Sequence, residues 1–280
     1  MAKLALLFSG QVRNISPILF NRSLRLFIGN NEADIFISYW GMGGRSGAHD
    51  ENLIQNNQDS SFNVESYIDI AFRGLTIKKR YLVTDNEWKD AVSPEVVNII
   101  KNKRYSKLTL NSAKQLFQIH KSFSLLDTPS SYDFVIRCRF DSIFIFPFTE
   151  INTSKNNFVS NINFGHAYYK NRVYDIFFYS PGYCASKVFC LPWSNFSDLV
   201  RNNFDNGLDP RDACRIIYLS AFLNNIDILP TRLRYCDVYR NKLRYYFWSI
   251  MQQGVSNSNS LSIKIILKYL SNIFYLIKGK

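Results

Sequence analysis

The chain has 280 residues and a mass of 32.7 kDa, long enough for one large α/β domain or two small ones with a well-buried core. Hydrophobic residues make up 46% and aromatics 16%, which excludes a disordered chain; 34 Lys and Arg against 22 Asp and Glu leave a net charge of +12, suited to an acidic partner such as a nucleotide, a lipid-linked phosphate or an anionic membrane. Five scattered cysteines with no C-x-x-C pair exclude a secreted disulfide framework, and the dispersed His49, His120 and His166 do not make a zinc site. The apolar run within residues 1–8 is too short for a signal peptide and no stretch has the uncharged length of a membrane span, so the expectation is a cytoplasmic protein.

Leu4 to Phe8 is a continuous apolar run of the kind that forms a central parallel strand, and it breaks at Ser9-Gly10. Ile15 to Ile28 has helical spacing closed by Gly29-Asn30, and Asp34 to Trp40 reads as a second buried strand. This β-loop-α-β opening predicts a doubly wound sheet, with Gly10, Gln11 and Arg13 leaving the first strand's carboxyl end, where ligands of open α/β sheets lie. One glycine also fits an ordinary tight turn, and this is not a G-x-G-x-x-G fingerprint. The Gly-, Ser- and Asn-rich stretch from Gly41 to Ser61 reads as a substrate-facing flap.

Leu75 to Thr84 is expected as a strand, Ser93-Pro94-Glu95 as a helix start, and Thr109 to Leu126 as a longer helix with His120 packed on its apolar face. Tyr132 to Pro147 is the segment around which the chain is organised. A buried run, Phe134 to Ile136, is followed directly by Arg137, Arg139 and Asp141; with the backbone extended, these three share one face while Cys138 and Phe140 point the other way. Two guanidinium groups beside a carboxylate can handle a phosphate, a metal-bound diphosphate or a sugar hydroxyl; an ion pair at a strand end is the other reading. Ser142 to Phe148 is expected to continue as an apolar strand.

Phe158 to Phe164 and Ile176 to Tyr179 read as strands, the second headed by Asp175, an acid that must be paired or used beside an apolar run. Asp209 and Pro210 are expected to cap and start a helix whose first turn holds Asp212. Ile226 to Leu229 is a short strand, and residues 232–245 mix arginines with tyrosines. The chain divides into a domain over 1–250, a polar linker over 251–260 and an amphipathic segment over 261–280. On that last segment Lys264, Lys268, Ser271, Tyr275 and Lys278 form one helical stripe, fitting either an anionic membrane interface or packing on the domain or a partner.

Three places, ALLFSGQVRN with DIFISYW, YDFVIRCRFDSIF, and VYDIFFYSPGYCASKVF, resemble bacterial polysaccharide glycosyltransferases of the GT-A type, those of capsule and lipopolysaccharide assembly. The resemblance spans roughly residues 2–190 and implies an α/β fold: a single GT-A-like, Rossmann-related, mixed but mainly parallel sheet flanked by helices. It further implies transfer of a sugar from a nucleotide-sugar donor to a glycan or lipid-linked acceptor at the inner membrane face. Carried over, Gly10, Gln11 and Arg13 hold the nucleotide, and Arg139 with Asp141 stands where the family has D-x-D. Because Arg139 replaces the first acid, binding of manganese or magnesium through Asp141 is left open.

Glycosyl transfer independently calls for cations at the departing phosphate, for which Arg13, Arg137 and Arg139 are suited, and for a base on the acceptor hydroxyl, for which Asp175 and Asp212 are the candidates. The competing classes are a basic membrane- or nucleic-acid-binding protein without catalysis and another phosphate-handling transferase such as a sulfotransferase. The first has no nucleic-acid module signature to support it, and the second lacks a P-loop-like glycine cluster after the first strand.

Overall fold

The computed structural model describes residues 1–12, 16–41, 63–105, 108–144, 147–148, 156–162, 173, 177–205, 210, 212–231 and 235–237. The expectations for Arg13, the flap over 42–61, Asp175, Asp209, the linker and the segment 261–280 fall outside these residues.

The core is a seven-stranded sheet. Its centre is β1 (Lys3–Gly10), paired in parallel with β2 (Glu32–Trp40) on one side and β4 (Phe134–Cys138) on the other. Outside β2 lies parallel β3 (Ile77–Val83); beyond β4 come antiparallel β7 (Phe178–Pro181), then β6 (Phe158–Ile162) and β8 (Asp227–Thr231), which run parallel to each other. The order β3-β2-β1-β4-β7-β6-β8 makes a mixed, mainly parallel sheet, the class expected from the sequence. Strand succession runs outward from β1 to β3 and then returns to β4 on β1's other side, so the topological switch point lies between β1 and β4.

Side-chain alternation divides the core into two layers. Leu4, Leu6 and Phe8 of β1 pack with Ile35, Ile37 and Tyr39 of β2 and Ile136 of β4 against α1 (Pro17–Ile28) and α2 (Val64–Ala71). Ala5, Leu7, Phe36 and Val135 face the other layer, built from α5 (Leu110–Phe123) and, further along, α6 (Ser186–Phe189), α7 (Leu191–Ser194), α8 (Phe196–Asp205) and α9 (Ala213–Leu223). The first layer is held by aromatic edges: Phe8 meets Phe20 at 5.6 Å, Phe72 at 5.0 Å and Phe140 at 5.9 Å between ring centroids. Among the described residues no helix is long and apolar enough to cross a membrane.

Caps explain most helix starts. Ser93 accepts from Val96 N ahead of Pro94 in α4 (Pro94–Lys101), and Thr109 caps α5. Thr84 and Glu87 form a complete capping box at α3 (Asp85–Ala91). α2 was not anticipated, although Asn63 caps it and Val64, Tyr67, Ile68 and Ala71 carry its buried side.

Three local expectations are corrected. β4 stops at Cys138, and the amide of Ser142 bonds back to Arg139 O at 3.2 Å, so residues 139–142 turn instead of running straight. The reason is Phe140, which is pulled into the aromatic layer beside Phe8 and Phe72. After the turn, among the described residues of 142–148, β5 (Ser142–Phe144) is strand, paired antiparallel with β9 (Tyr235–Asp237) in a separate small sheet, and Pro147 and Phe148 are not. The helix expected from Pro210 begins at Ala213, with Asp212 as its N-cap accepting from Arg215 N at 2.9 Å.

The capping box carries a pH signature. Hydrogen bonds from Tyr81 and then from the Thr84 amide, with Lys121 beside it, pull Glu87 down from 4.5 to about 2 against the opposing effect of burial. The charged form is therefore favoured by folding: its contribution is complete above about pH 4.5 and is lost as pH falls to about 2. Glu87→Gln is expected to flatten the fall in stability across that window in acid-denaturation curves while leaving its neutral-pH slope unchanged.

Candidate functional site

The site is built where β1 and β4 finish side by side. Their parallel register runs from Leu4 opposite Phe134 to Phe8 opposite Cys138, so the next residues of each strand lie beyond their mutual pairing at the same carboxyl edge. From β1 these are Ser9, Gly10 and Gln11; from β4 they are Arg139, Phe140 and Asp141.

Gly10 has φ of +115°, a conformation that residues with a Cβ rarely adopt, and a Cβ built there would meet nothing within 4 Å among the described residues. The described residues thus leave the backbone open at that point, the arrangement that lets a ligand approach main-chain groups closely. Gln11 is half-buried, and Val12 then dives into the aromatic layer, anchoring the start of the loop.

Arg137 does not share a face with Arg139 and Asp141. It lies opposite Leu7 in register, on the α5 side, and is only 3% exposed. Its guanidinium donates to the carbonyl of Ser9 at 2.9 Å and to the carbonyl of Cys138. One buried cation thus ties the last turns of β1 and β4 together, immediately behind the peptide that leads into Gly10. Two serines follow on the same face: Ser9 and its register partner Ser38, whose hydroxyl donates to Gln118 Oε1 on α5 at 3.1 Å.

Arg139 and Asp141 form a bidentate pair, Nε to Oδ1 at 2.9 Å and Nη2 to Oδ2 at 2.5 Å. The turn at 139–142 makes this possible, since it brings residues two apart into fork geometry. Their exposure differs: 13% of the Arg139 side chain reaches solvent against 2% of the Asp141 side chain. The sequence reading missed Tyr67 of α2, which is buried and lies near enough to Asp141 to feel its charge. Burial first, and then the Asp141 charge, push its hydroxyl up, so it stays protonated. Its signal was present in the i, i+3, i+4 apolar spacing of residues 64–71.

Further along the same edge, Tyr39 lies opposite Gly10 in register and donates to Glu65, which is also gripped by Arg80; Arg80 reaches Asp69 at 2.8 Å. That network locks α2 onto β2 and β3. Asp212 caps α9, which packs against α6 and α8 and against β8 on the far side of the sheet from β1. The sequence candidates Gly10, Gln11, Arg139 and Asp141 are therefore brought together, Arg137 supports them from behind, and Asp212 sits on the β8 side. Arg13 and Asp175 lie outside the described residues.

A divalent cation needs several oxygen ligands. Asp141 gives both oxygens to Arg139, and among the described residues no three His, Cys, Asp or Glu side chains are grouped to share an ion. Of the described residues, the one the sequence reading offers to manganese or magnesium is Asp141, and its carboxylate is engaged by Arg139.

The fold class is thus a mixed, mainly parallel α/β sheet with a polar, arginine-bearing site at its switch point. No protein-family model matches the chain, and no curated protein matches it. Among solved structures, mouse xyloside xylosyltransferase 1 in its apo form aligns at 11% identity over 82% of this chain and 84% of its own, with a TM-score of 0.41. PaToxG glycosyltransferase aligns at 10% identity over 99% and 86%, with a TM-score of 0.37.

Replacing Gly10 by Ala forces a side chain into a backbone conformation it rarely adopts, at a cost of about 1–3 kcal/mol. The expected result is a lower denaturation midpoint for Gly10→Ala with an unchanged denaturant slope; an unchanged midpoint would show that the positive φ is not required.

Proposed function

We propose that this protein is a glycosyltransferase that moves a sugar from a nucleotide-sugar donor to a glycan or lipid-linked acceptor in bacterial surface polysaccharide synthesis, O-antigen, capsule or lipopolysaccharide. The observation that carries the reading is the convergence of an open Gly10 backbone with the Arg139–Asp141 pair at the β1–β4 switch point. Open α/β sheets bind ligands in that crevice, and a guanidinium there suits a phosphate leaving group.

In the reaction, the bond from the sugar's anomeric carbon to the donor phosphate breaks and a bond to the acceptor oxygen forms. The acceptor proton passes to a base and the departing phosphate carries the electron pair. Gly10, Gln11 and Arg13 hold the nucleotide. Arg139 meets the phosphate, Asp141 sets the plane of Arg139, and Arg137 contributes positive potential from beneath the Gly10 peptide. Asp175 and Asp212 are the two candidate bases. Asp212 already has a structural task, the cap of α9, which by itself accounts for an acid at that position.

Asparagine caps a helix about as well as aspartate but cannot take a proton. Asp212→Asn is therefore expected to fold normally and keep kcat, whereas Asp175→Asn is expected to lower kcat by about 10²-fold or more in a transfer assay with nucleotide sugars. A stable Asp212→Asn variant with collapsed kcat would reverse the assignment. Loss of neither would remove both acids from the chemistry.

The segment 261–280 is proposed to lie on an anionic inner-membrane surface, which would bring the site to a lipid-linked acceptor. The support is its sequence stripe of Lys264, Lys268 and Lys278 with Leu, Ile and Phe around it. The full chain is expected to co-sediment with vesicles containing phosphatidylglycerol, to be released by salt, and to lose binding in a Lys264→Glu, Lys268→Glu variant. Equal binding to neutral vesicles would refute an electrostatic anchor.

A further inference from the structure

We infer that Gln118 is a positioning residue for the donor site: its buried amide bonds the hydroxyl of Ser9, the residue before Gly10, when a nucleotide lies on the Gly10 backbone. The inference rests on the donor-binding reading above and concerns side chains that the nucleotide itself does not touch.

The layer on the α5 side of the sheet is apolar, with Ala5 and Leu7 of β1, Phe36 of β2 and Val135 of β4 packed together with Leu116, Phe117 and Ile119 of α5. At the carboxyl edge three polar residues break that pattern. Ser9, Ser38 and Gln118 are 1%, 0% and 2% exposed. Alternation puts Ser9 on the face of Ala5 and Leu7, and Ser38 on the face of Phe36. Ser9 and Ser38 are register partners on neighbouring strands, and Ser38 Oγ donates to Gln118 Oε1 at 3.1 Å, which sets the Gln118 amide beside both strand ends.

Among the described residues, two polar atoms of this group are buried with no hydrogen-bond partner: Ser9 Oγ and Gln118 Nε2. Turning the amide end for end changes which of its atoms serves Ser38 and still leaves the other over. A hydroxyl both donates and accepts, so Ser9 Oγ complements whichever amide atom is left, and one bond between them satisfies both. An unmet polar group in an apolar layer is unfavourable, and apolar side chains of similar shape would fill these places at no loss of stability. The layer takes that course at Ala5 and Leu7 and departs from it one residue before Gly10.

Ser9 is the link to the ligand. Its carbonyl accepts from Arg137 at 2.9 Å, and its peptide leads directly into Gly10, where the φ of +115° is one that glycine reaches without strain. A nucleotide held by the Gly10 backbone fixes that peptide and carries the Ser9 hydroxyl onto the Gln118 amide. The bond so gained belongs to the bound state alone, and it therefore appears as affinity.

The test is a double-mutant cycle on nucleotide affinity. The full chain, Gln118→Met, Ser9→Ala and the variant carrying both changes are titrated by calorimetry with UDP, GDP and CMP in buffer containing magnesium and manganese, and their Tm values are measured without nucleotide. For the nucleotide that binds, each single change is expected to raise Kd about 3- to 10-fold, the worth of one hydrogen bond. The double variant is expected to bind no more weakly than the weaker single one, and Gln118→Met to melt at or above the wild-type Tm. Unchanged Kd in the single variants, or effects that multiply in the double one, overturn the inference and leave the donor reading standing. Failure of Gln118→Met to fold, or a lowered Tm, makes the amide an ordinary structural group and overturns it as well. Absence of nucleotide binding by the unaltered chain removes the donor reading and the inference together.

Discussion

The pairing of β1 with β4, sealed at its end by Arg137, is the constraint on which the rest of the site depends. Five register pairs bring Phe8 opposite Cys138, and the Arg137 guanidinium then bonds the carbonyls of Ser9 and Cys138. A buried guanidinium is costly unless its donors find acceptors, and here backbone oxygens accept from its Nη1 and Nη2 groups. The result is a rigid corner from which two loops leave side by side, one carrying a glycine open to ligand and the other an arginine held flat by an acid. The position of this corner at the topological switch point follows from strand order alone.

Around that corner the aromatic layer sets the direction of each loop. Phe140 turns inward to the group of Phe8 and Phe72, which reverses the chain and lets Arg139 and Asp141 meet as a fork. Val12 does the same for the β1 loop on a smaller scale. On the far side, Tyr39, Glu65 and Arg80 fasten α2 to β2 and β3, which keeps the protonated, buried Tyr67 within reach of the Asp141 charge. Packing here selects the site geometry, because moving a phenylalanine out of the core costs more than bending a strand end.

Most of the strands were legible because a buried parallel strand is a short uninterrupted apolar run, and Leu4 to Phe8, Asp34 to Trp40 and Phe134 to Ile136 are all of that kind. The helices with a polar cap and a regular apolar side, such as the one after Thr109, were equally readable. Less was visible in α2, which follows a long Gly- and Asn-rich stretch, and in α7, only four residues long; α8 carried a helical spacing in Phe196, Leu199, Val200 and Phe204 that the sequence reading passed over. The cap of α9 was misplaced by three residues because two aspartates flank Pro210 and either suits a helix start; the hydrogen bond from Arg215 N decides for Asp212.

The order of residues determined the strands, the presence of two arginines and an acid just past a buried run, and a glycine at the end of the first strand, since each depends only on local hydrophobicity and backbone freedom. What these residues do to one another was decided in three dimensions. Alternation along an ideal strand groups Arg137 with Arg139 and Asp141; burial of Phe140 breaks the strand, sends Arg137 under the sheet and gives Asp141 to Arg139 alone of the two. Local periodicity cannot anticipate that outcome, because the force that bends the chain comes from Phe8 and Phe72, residues distant in sequence that become neighbours only when the sheet and α2 have closed over them.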